Sequence, residues 1–455
     1  MTADAPVPHR PDIAAGRLHA AALAENFSDL HPPLNAYEAR IEADRCFFCY
    51  DAPCQSACPT SIDVPLFIRE IAAGNALGAA KTIYDANILG GMCARVCPTE
   101  TLCEQACVRE TSEGKPVQIG LLQRYATDAY MATGEHPYER AAPTGKKIAI
   151  LGAGPAGLAC AHALAKLGHE VTIHERRPKP GGLNEYGVAA YKATDNFAAR
   201  EAEFVLAIGG VKVEYGVSLG GAVSLDGLRQ THDAVFIGIG LPKTNALGLK
   251  ADADYANLIE AVDFIEGLRQ ASNLAHVAVG RRVVVVGGGM TAIDAAVQSK
   301  RLGAEHVTLV YRRSVELMKA SPYERELAMT HGVTVLPWAK PMALHGEGDA
   351  LKRVHFERTR EEGDALVGTG EMFSLEADVV FSAIGQKGAP SLFHGSHAPA
   401  MTGDRIAVDD QLKTSLPNVW AGGDCVVGDL DLTVSAVDDG KRAAASIHAA
   451  LTAKG

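Results

Sequence analysis

Residues 147–157 read KIAILGAGPAG, and this stretch decides the fold. Its first five residues form an apolar run of the kind that makes a buried parallel strand. Gly152, Gly154 and Gly157 follow at once in the pattern G-x-G-x-x-G, with Pro155 and Ala156 opening an Ala-rich helical stretch. The first glycine allows a tight turn, the second lets the backbone approach a pyrophosphate, and the third lets the helix lie close to the strand. The helix N-terminus then offers free N–H groups and the positive end of its dipole to the phosphates. A second strand-like run over 170–174 ends at Glu175, 18 residues beyond Gly157, where an acid can bind a ribose hydroxyl. The stretch predicts a βαβ unit that holds a dinucleotide.

The same design returns later in the chain. RVVVV at 282–286 leads into Gly287, Gly288, Gly289, Met290, Thr291 and Ala292, then a helical stretch, then the strand-like HVTLVY at 306–311. DAVFIGIG at 233–240 and DVVFSAIG at 378–385 are near copies, each ending in glycine. Two nucleotide-binding domains related by an internal repeat are predicted, at a period too long for a solenoid. At the ribose position the second copy carries Arg312 and Arg313 instead of an acid. Guanidinium there favours a 2′-phosphate and hence NADP over NAD, unless both arginines only coat a solvated surface. Residues 349–376 alternate polar and apolar around Gly363 and predict a hairpin.

Near the C-terminus, NVWAGGD at 418–424 reads as a strand entering a tight turn, with a last helix to Leu451. Asp424, after Gly422 and Gly423, is placed to bond a ribityl hydroxyl. Flavoproteins with two dinucleotide domains end on a similar motif, which assigns the first glycine loop to FAD and the second to NAD(P)H. Gly181 and Gly182 would let the chain pass close to the flavin, or form an ordinary loop.

Eight of the ten cysteines lie between Cys46 and Cys107. They read C-x2-C-x4-C-x3-C-P from Cys46 to Pro59 and C-x3-C-P-x4-C-x3-C from Cys93 to Cys107. Tight thiolate spacing with a proline after a ligand points to iron–sulfur clusters. Zinc is the competing reading, though its ribbons usually show two C-x2-C pairs and only Cys46 and Cys49 form one. Spacing alone leaves open which thiols share a cluster. Cys160 and Cys425 stand alone and read as small buried side chains, not a thiol–disulfide pair.

The remaining composition is that of a globular protein. The 455 residues are 47% hydrophobic and 21% charged, with a net charge of -11, which gives no basic face for nucleic acid or anionic membrane. The opening MTADAPVPHRPDIAAGRLHA has no apolar secretory segment, and no run approaches the roughly 18 apolar residues of a membrane span. A cytoplasmic location is therefore expected, where clustered cysteines serve metal or redox chemistry rather than disulfides. Helical periodicity without strands over 41–130 predicts a small all-α domain, and the polar 134–147 a linker. No catalytic triad, metalloprotease helix or P-loop lysine motif is evident, and hydride transfer between cofactors needs none.

RCFFCYDAPC (45–54), CPT (58–60), GMCARVCPT (91–99), LCEQAC (102–107) and GLLQ (120–123) resemble the N-terminal part of the dihydropyrimidine dehydrogenase family. The likeness runs on through both nucleotide motifs. In length the chain resembles the separate flavin-bearing subunit of the bacterial NAD-dependent enzymes, and the small subunit of glutamate synthase is a cousin. The resemblance implies two 4Fe-4S clusters, one held by Cys46, Cys49, Cys54 and Cys107, the other by Cys58, Cys97, Cys103 and the side-chain amide of Gln123. Cys93 is then a bystander, although residue chemistry alone leaves it open as the fourth ligand. FAD contacts carry over to residues 152–157, Glu175, Gly182, Leu183, Lys192, Leu219, Gly423, Asp424 and Thr433. Nicotinamide nucleotide contacts carry over to Gly288, Gly289, Met290, Thr291, Arg312, Arg313, Lys319, Ala383, Ile384 and Gly385. The implied nucleotide is NAD(H), against the NADP(H) that the arginines suggest.

The expected layout is a helical iron–sulfur domain over 1–144, an FAD domain over 145–243 and 388–455, and an NAD(P) domain over 244–387. No length remains for the FMN-bearing TIM barrel at which the family reduces uracil or thymine. The resemblance thus implies a partner subunit with FMN and iron–sulfur groups, in a heterotetramer. A glutamate synthase large subunit is the rival partner, and a zinc-stabilised binding module the rival outside enzymes.

Overall fold

The computed structural model describes residues 12–249, 255–393, 398–428 and 430–453. The chain packs as two units. One gathers residues 31–185, 195–243 and those from 387 onward; the other gathers those up to 30, 186–194 and 244–386.

The first unit begins with short helices. Asn35 opens Ala36–Asp44 with a capping box: its Oδ1 accepts from Glu38 N at 3.0 Å, and Glu38 Oε2 accepts from Asn35 N at 2.9 Å. Val64–Ala72 buries Val64, Phe67, Ile68 and Ile71, the single apolar stripe that its sequence spacing requires. Ile119–Met131 packs against the same core through Ile119, Leu122 and Ala126. A five-stranded parallel sheet follows. Its order is Val419–Ala421, Ala234–Ile237, Lys147–Leu151, Glu170–Glu175, Val211–Tyr215, so the strand feeding the first glycine loop is central. The helix Pro155–Lys166 leaves that loop, and the terminal helix Thr433–Thr452 lies in the same unit.

The second unit repeats the plan. Its parallel sheet has the order Val333–Leu336, His306–Val310, Arg282–Gly287, Val379–Ala383, Leu258–Glu260, again with the loop-bearing strand central. The near-copy runs at 233–240 and 378–385 supply the strand beside the central one in each sheet. An antiparallel sheet of Ala339–Glu347, Ala350–Glu362 and Ala365–Glu376 contains the expected hairpin around Gly363. Its first strand escaped the alternation pattern because register shifts at Pro341/Ala343 and His345/Gly346 break the two-residue period.

The described residues of the arm before 31 differ from the expected layout, which placed them with the iron–sulfur helices. Ile13–Ala14 pairs with Val279–Gly280, Leu23 and Phe27 enter the core of the second unit, and Asn26 Nδ2 donates to Arg301 O at 2.8 Å. Apolar burial decides their place. Among the described residues, no helix is long and apolar enough to cross a membrane.

Candidate redox centre: two glycine loops and clustered thiols

In the first unit, helix and strand meet at Gly157, where a Cβ would lie 1.9 Å from Gly152 O. Gly154 is different. A Cβ there would meet only Gly182 Cα, at 3.8 Å, so its outer side stays open for a ligand. Gly182 lies against the loop at φ +55°, and Gly181 N donates to Ala153 O at 2.8 Å. The paired glycines thus pack directly against the first glycine loop. Glu175 is buried, its Oε2 accepting from Ala153 N at 2.7 Å and its Oε1 from Arg177 N at 2.8 Å. The acid that ends the second strand is thereby tied to the glycine loop itself.

The C-terminal turn belongs to the same unit. Burial, with Asp431 adding, pushes Asp424 up to about 6, and Arg405 partly offsets this. Gly423 N donates to Asp439 Oδ2 at 2.8 Å, and Thr433 Oγ1 donates to Asn184 Oδ1 at 2.8 Å. Thr433 starts the terminal helix and so joins the neighbour of Leu183, whose own side chain is exposed. Leu219 is buried in an apolar cluster with Ile237 and Ala421. An open glycine cradle, an acid at the ribose end and a second acid after a glycine turn fit FAD.

The second loop has the same build. Gly289 begins Met290–Arg301, and nothing lies within 4 Å of where its Cβ would stand. Ala320 N donates to Gly288 O at 3.0 Å, which brings the segment holding Lys319 beside the loop. Ala383 ends the neighbouring parallel strand, opposite Gly287, and Ile384 and Gly385 follow it. Arg312 is exposed and Arg313 half-buried, and no ion pair or hydrogen bond of either guanidinium is seen among the described residues. Two unpaired cations at the ribose end suit a phosphate.

Lys192 belongs to the second unit, whereas the other FAD candidates belong to the first. It is buried there, its Nζ 2.7 Å from Asp294 Oδ1 and 2.6 Å from Glu324 Oε1. Burial opposes the ammonium, but the two carboxylates outweigh it and hold its pKa well above the ordinary value. Asp294 and Glu324 sit in no recognisable motif, and sequence reading had no signal for them.

The thiols divide into two groups. Cys46, Cys49, Cys54 and Cys107 line one largely apolar cavity with Val64 and Ile68. Burial, then the facing Cys46 and Cys107, push Cys54 up to about 12. Cys97 is raised by its hydrogen bond with Cys93, then by burial and by Cys103 and Cys58. Burial raises Cys103 too, with Glu104 and Cys58 adding. Thiols that oppose one another's ionisation are the donor set that a cationic iron–sulfur body would neutralise. Gln123 is buried beside the second group's helix, its Nε2 donating to Gly90 O at 2.7 Å. Cys93 is buried as well. Four thiols around an apolar cavity are a donor set that a 4Fe-4S cluster can use. Cys160 and Cys425 are both buried and distant in sequence from these groups.

Tandem dinucleotide folds joined to thiol-rich helices define an oxidoreductase of the flavin and pyridine nucleotide class with an iron–sulfur domain. Residues 142–440 match the family described as pyridine nucleotide-disulphide oxidoreductase, and residues 23–135 match dihydropyrimidine dehydrogenase domain II, 4Fe-4S cluster. The chain is 36% identical over 425 residues to the NAD-dependent dihydropyrimidine dehydrogenase subunit PreT of Salmonella typhimurium, covering 93% of this chain and 97% of that one. It is 33% identical over 442 residues to the glutamate synthase [NADPH] small chain of Escherichia coli, covering 92% and 93%. Among solved structures, Mycobacterium tuberculosis FprA in complex with NADPH shares the fold, with a TM-score of 0.56 and 20% identity over 67% of this chain and 84% of that one. The chain belongs to the pyridine nucleotide-disulphide oxidoreductase family and, within it, to the PreT group. It is an electron-transfer oxidoreductase with 4Fe-4S, FAD and NAD(P) domains, and the reading as a zinc-stabilised binding module falls.

Proposed function

We propose that the chain accepts a hydride from NADH at FAD and passes single electrons through two 4Fe-4S clusters to an FMN-containing TIM-barrel subunit that reduces uracil or thymine. The observation that carries the reading is the cavity walled by Cys46, Cys49, Cys54 and Cys107, in the same unit as the 152–157 loop. FAD supplies the conversion of a two-electron hydride into one-electron steps. The chain's own residues position. Residues 152–157 cradle the FAD pyrophosphate, Glu175 takes a ribose hydroxyl, and Asp424 and Thr433 hold the flavin side. Gly288, Gly289, Met290 and Thr291 hold the nicotinamide nucleotide. Cys46, Cys49, Cys54 and Cys107 hold one cluster; Cys58, Cys97, Cys103 and Gln123 hold the other.

The named relatives, a dehydrogenase subunit and a small chain, support a partner. The assembly is a heterotetramer. One observation favours a second nucleotide: the unpaired guanidinium groups of Arg312 and Arg313 suit NADPH.

Anaerobic titration with each nucleotide tests the core of the reading. Flavin bleaching and a reduced iron–sulfur signal with NADH are expected, and a colourless protein that binds neither group overturns it. Co-expression with a TIM-barrel FMN subunit should give uracil-dependent NADH oxidation. Activity only with a glutaminase-bearing partner would move the chain to glutamate synthase.

A further inference from the structure

The helix Gly90–Val96 ends at Cys97, and its first turn is held by groups from elsewhere in the unit. Glu201, on the helix Phe197–Leu206 of the flavin domain, is fully buried. Its Oε1 accepts from Met92 N at 3.0 Å, and Gly91 N adds a second bond. The approach is close: a Cβ on Gly91 would stand 2.7 Å from Glu201 Oε1 and 2.6 Å from Phe197 Cζ. Arg95 completes the contact. Its Nη1 donates to Gly91 O at 3.0 Å, its Nη2 reaches both Asp128 oxygens at 2.9 and 2.8 Å, and its guanidinium lies 3.3 Å from the Phe197 ring centroid. Gln123 Nε2 donates to Gly90 O in the same turn.

We propose that Glu201 is a positioning residue for the second cluster: from the flavin domain, its carboxyl holds the turn that sets Cys97 and meets Gln123. A buried carboxyl is expensive to keep unless its hydrogen bonds require it. Glu201 is held buried by bonds to two backbone N–H groups of a helix from another domain. Burial raises its pKa to about 8, against the pull of the Met92 N–H and Arg95. A neutral amide therefore replaces it well, since an amide oxygen accepts the same bonds.

The inference rests on the assignment of Cys58, Cys97 and Cys103 to the second cluster. It is tested on the full chain, anaerobically purified, by iron and sulfide content, the electron paramagnetic resonance signals of the dithionite-reduced protein, and the midpoint potential of each signal. Expected for E201A is a roughly ten-fold loss of the second-cluster signal, the scale on which outer-shell partners act on metal sites. Iron should fall from about eight to about four per chain, as in C97S, while FAD and the first signal stay. E201Q should keep both signals at wild-type potentials.

If E201A retains both signals with unchanged potentials, the proposal is wrong. Should E201A not fold, E201D decides. Its carboxyl is one methylene short, so a weakened second signal supports the proposal, whereas an intact one, with the E201Q signal altered, overturns it. If C97S itself leaves the second signal intact, the ligand assignment fails instead, whatever Glu201 does.

Discussion

Replacing Lys192 by methionine removes the cation from a buried three-charge cluster while nearly keeping its volume. Nζ stands 2.7 Å from Asp294 and 2.6 Å from Glu324, and all three residues are less than 10% exposed. In K192M the Asp294 and Glu324 carboxylates would lose the ammonium they share. Removing one partner of a buried ion pair costs about 3–5 kcal/mol, because the remaining charge is stranded. With two acids losing one shared cation, a loss of about 3–5 kcal/mol is expected. The charge-free K192M/D294N/E324Q should recover most of the loss, to within about 1 kcal/mol of wild type, since well-packed neutral groups often replace buried pairs at little cost.

The chain offers a clean reporter. Of its two tryptophans, Trp338 lies in this unit and Trp420 in the other. Guanidinium unfolding followed by Trp338 fluorescence in a W420F background therefore reads the unit that holds Lys192. FAD content of the same samples separates this clamp from the flavin contact implied by family resemblance. Lost stability with FAD retained supports the clamp. A K192M protein within about 0.5 kcal/mol of wild type that has lost FAD would refute the reasoning.

Other outcomes follow from the same geometry. G154A should fold normally yet bind FAD weakly, because its Cβ enters the open cradle, whereas G157A should unfold the loop by contact with Gly152 O; equal stability and equal FAD content in both would contradict the cradle. R312A should raise the KM for NADPH about ten-fold more than that for NADH, the scale of one lost bond to a charged group, and equal effects would remove the phosphate-reading role. His162 is buried and held down at about 3 by burial, with His136 and Lys166 adding. Its folded pKa lies below its unfolded one, so its contribution to stability is full above pH 6.5 and is lost as pH falls toward 3. The loss is about 2 kcal/mol at pH 5. H162Q should flatten urea-measured stability between pH 7 and 5, and an unchanged slope would show that another group titrates.

Much of the fold was legible locally. A strand, a glycine turn and a helix lie within about 20 residues, so both loops, Glu175 and the repeated strands at 233–240 and 378–385 could be read in order. The two thiol runs pointed to iron–sulfur chemistry through composition and spacing. What stayed hidden was non-local. Spacing alone did not join Cys107 to Cys46, Cys49 and Cys54; family resemblance implied the set, and the folding back of the intervening helices brings it to one cavity. Glu201 and Arg95 look like ordinary helix residues until Gly91 and Phe197 are brought together.

The strand at 339–347 was masked by its register shifts, and the described residues before 31 went to the second unit because Leu23 and Phe27 bury there. The sequence by itself determined the two dinucleotide folds and the kind of metal chemistry, since those depend on residue types at short spacing. Only the tertiary structure decided which thiols share a wall, which unit claims Lys192 and what holds the turn before Cys97. Each of these is a contact between residues far apart in the chain, set by which apolar faces bury together and which buried charges must find a partner.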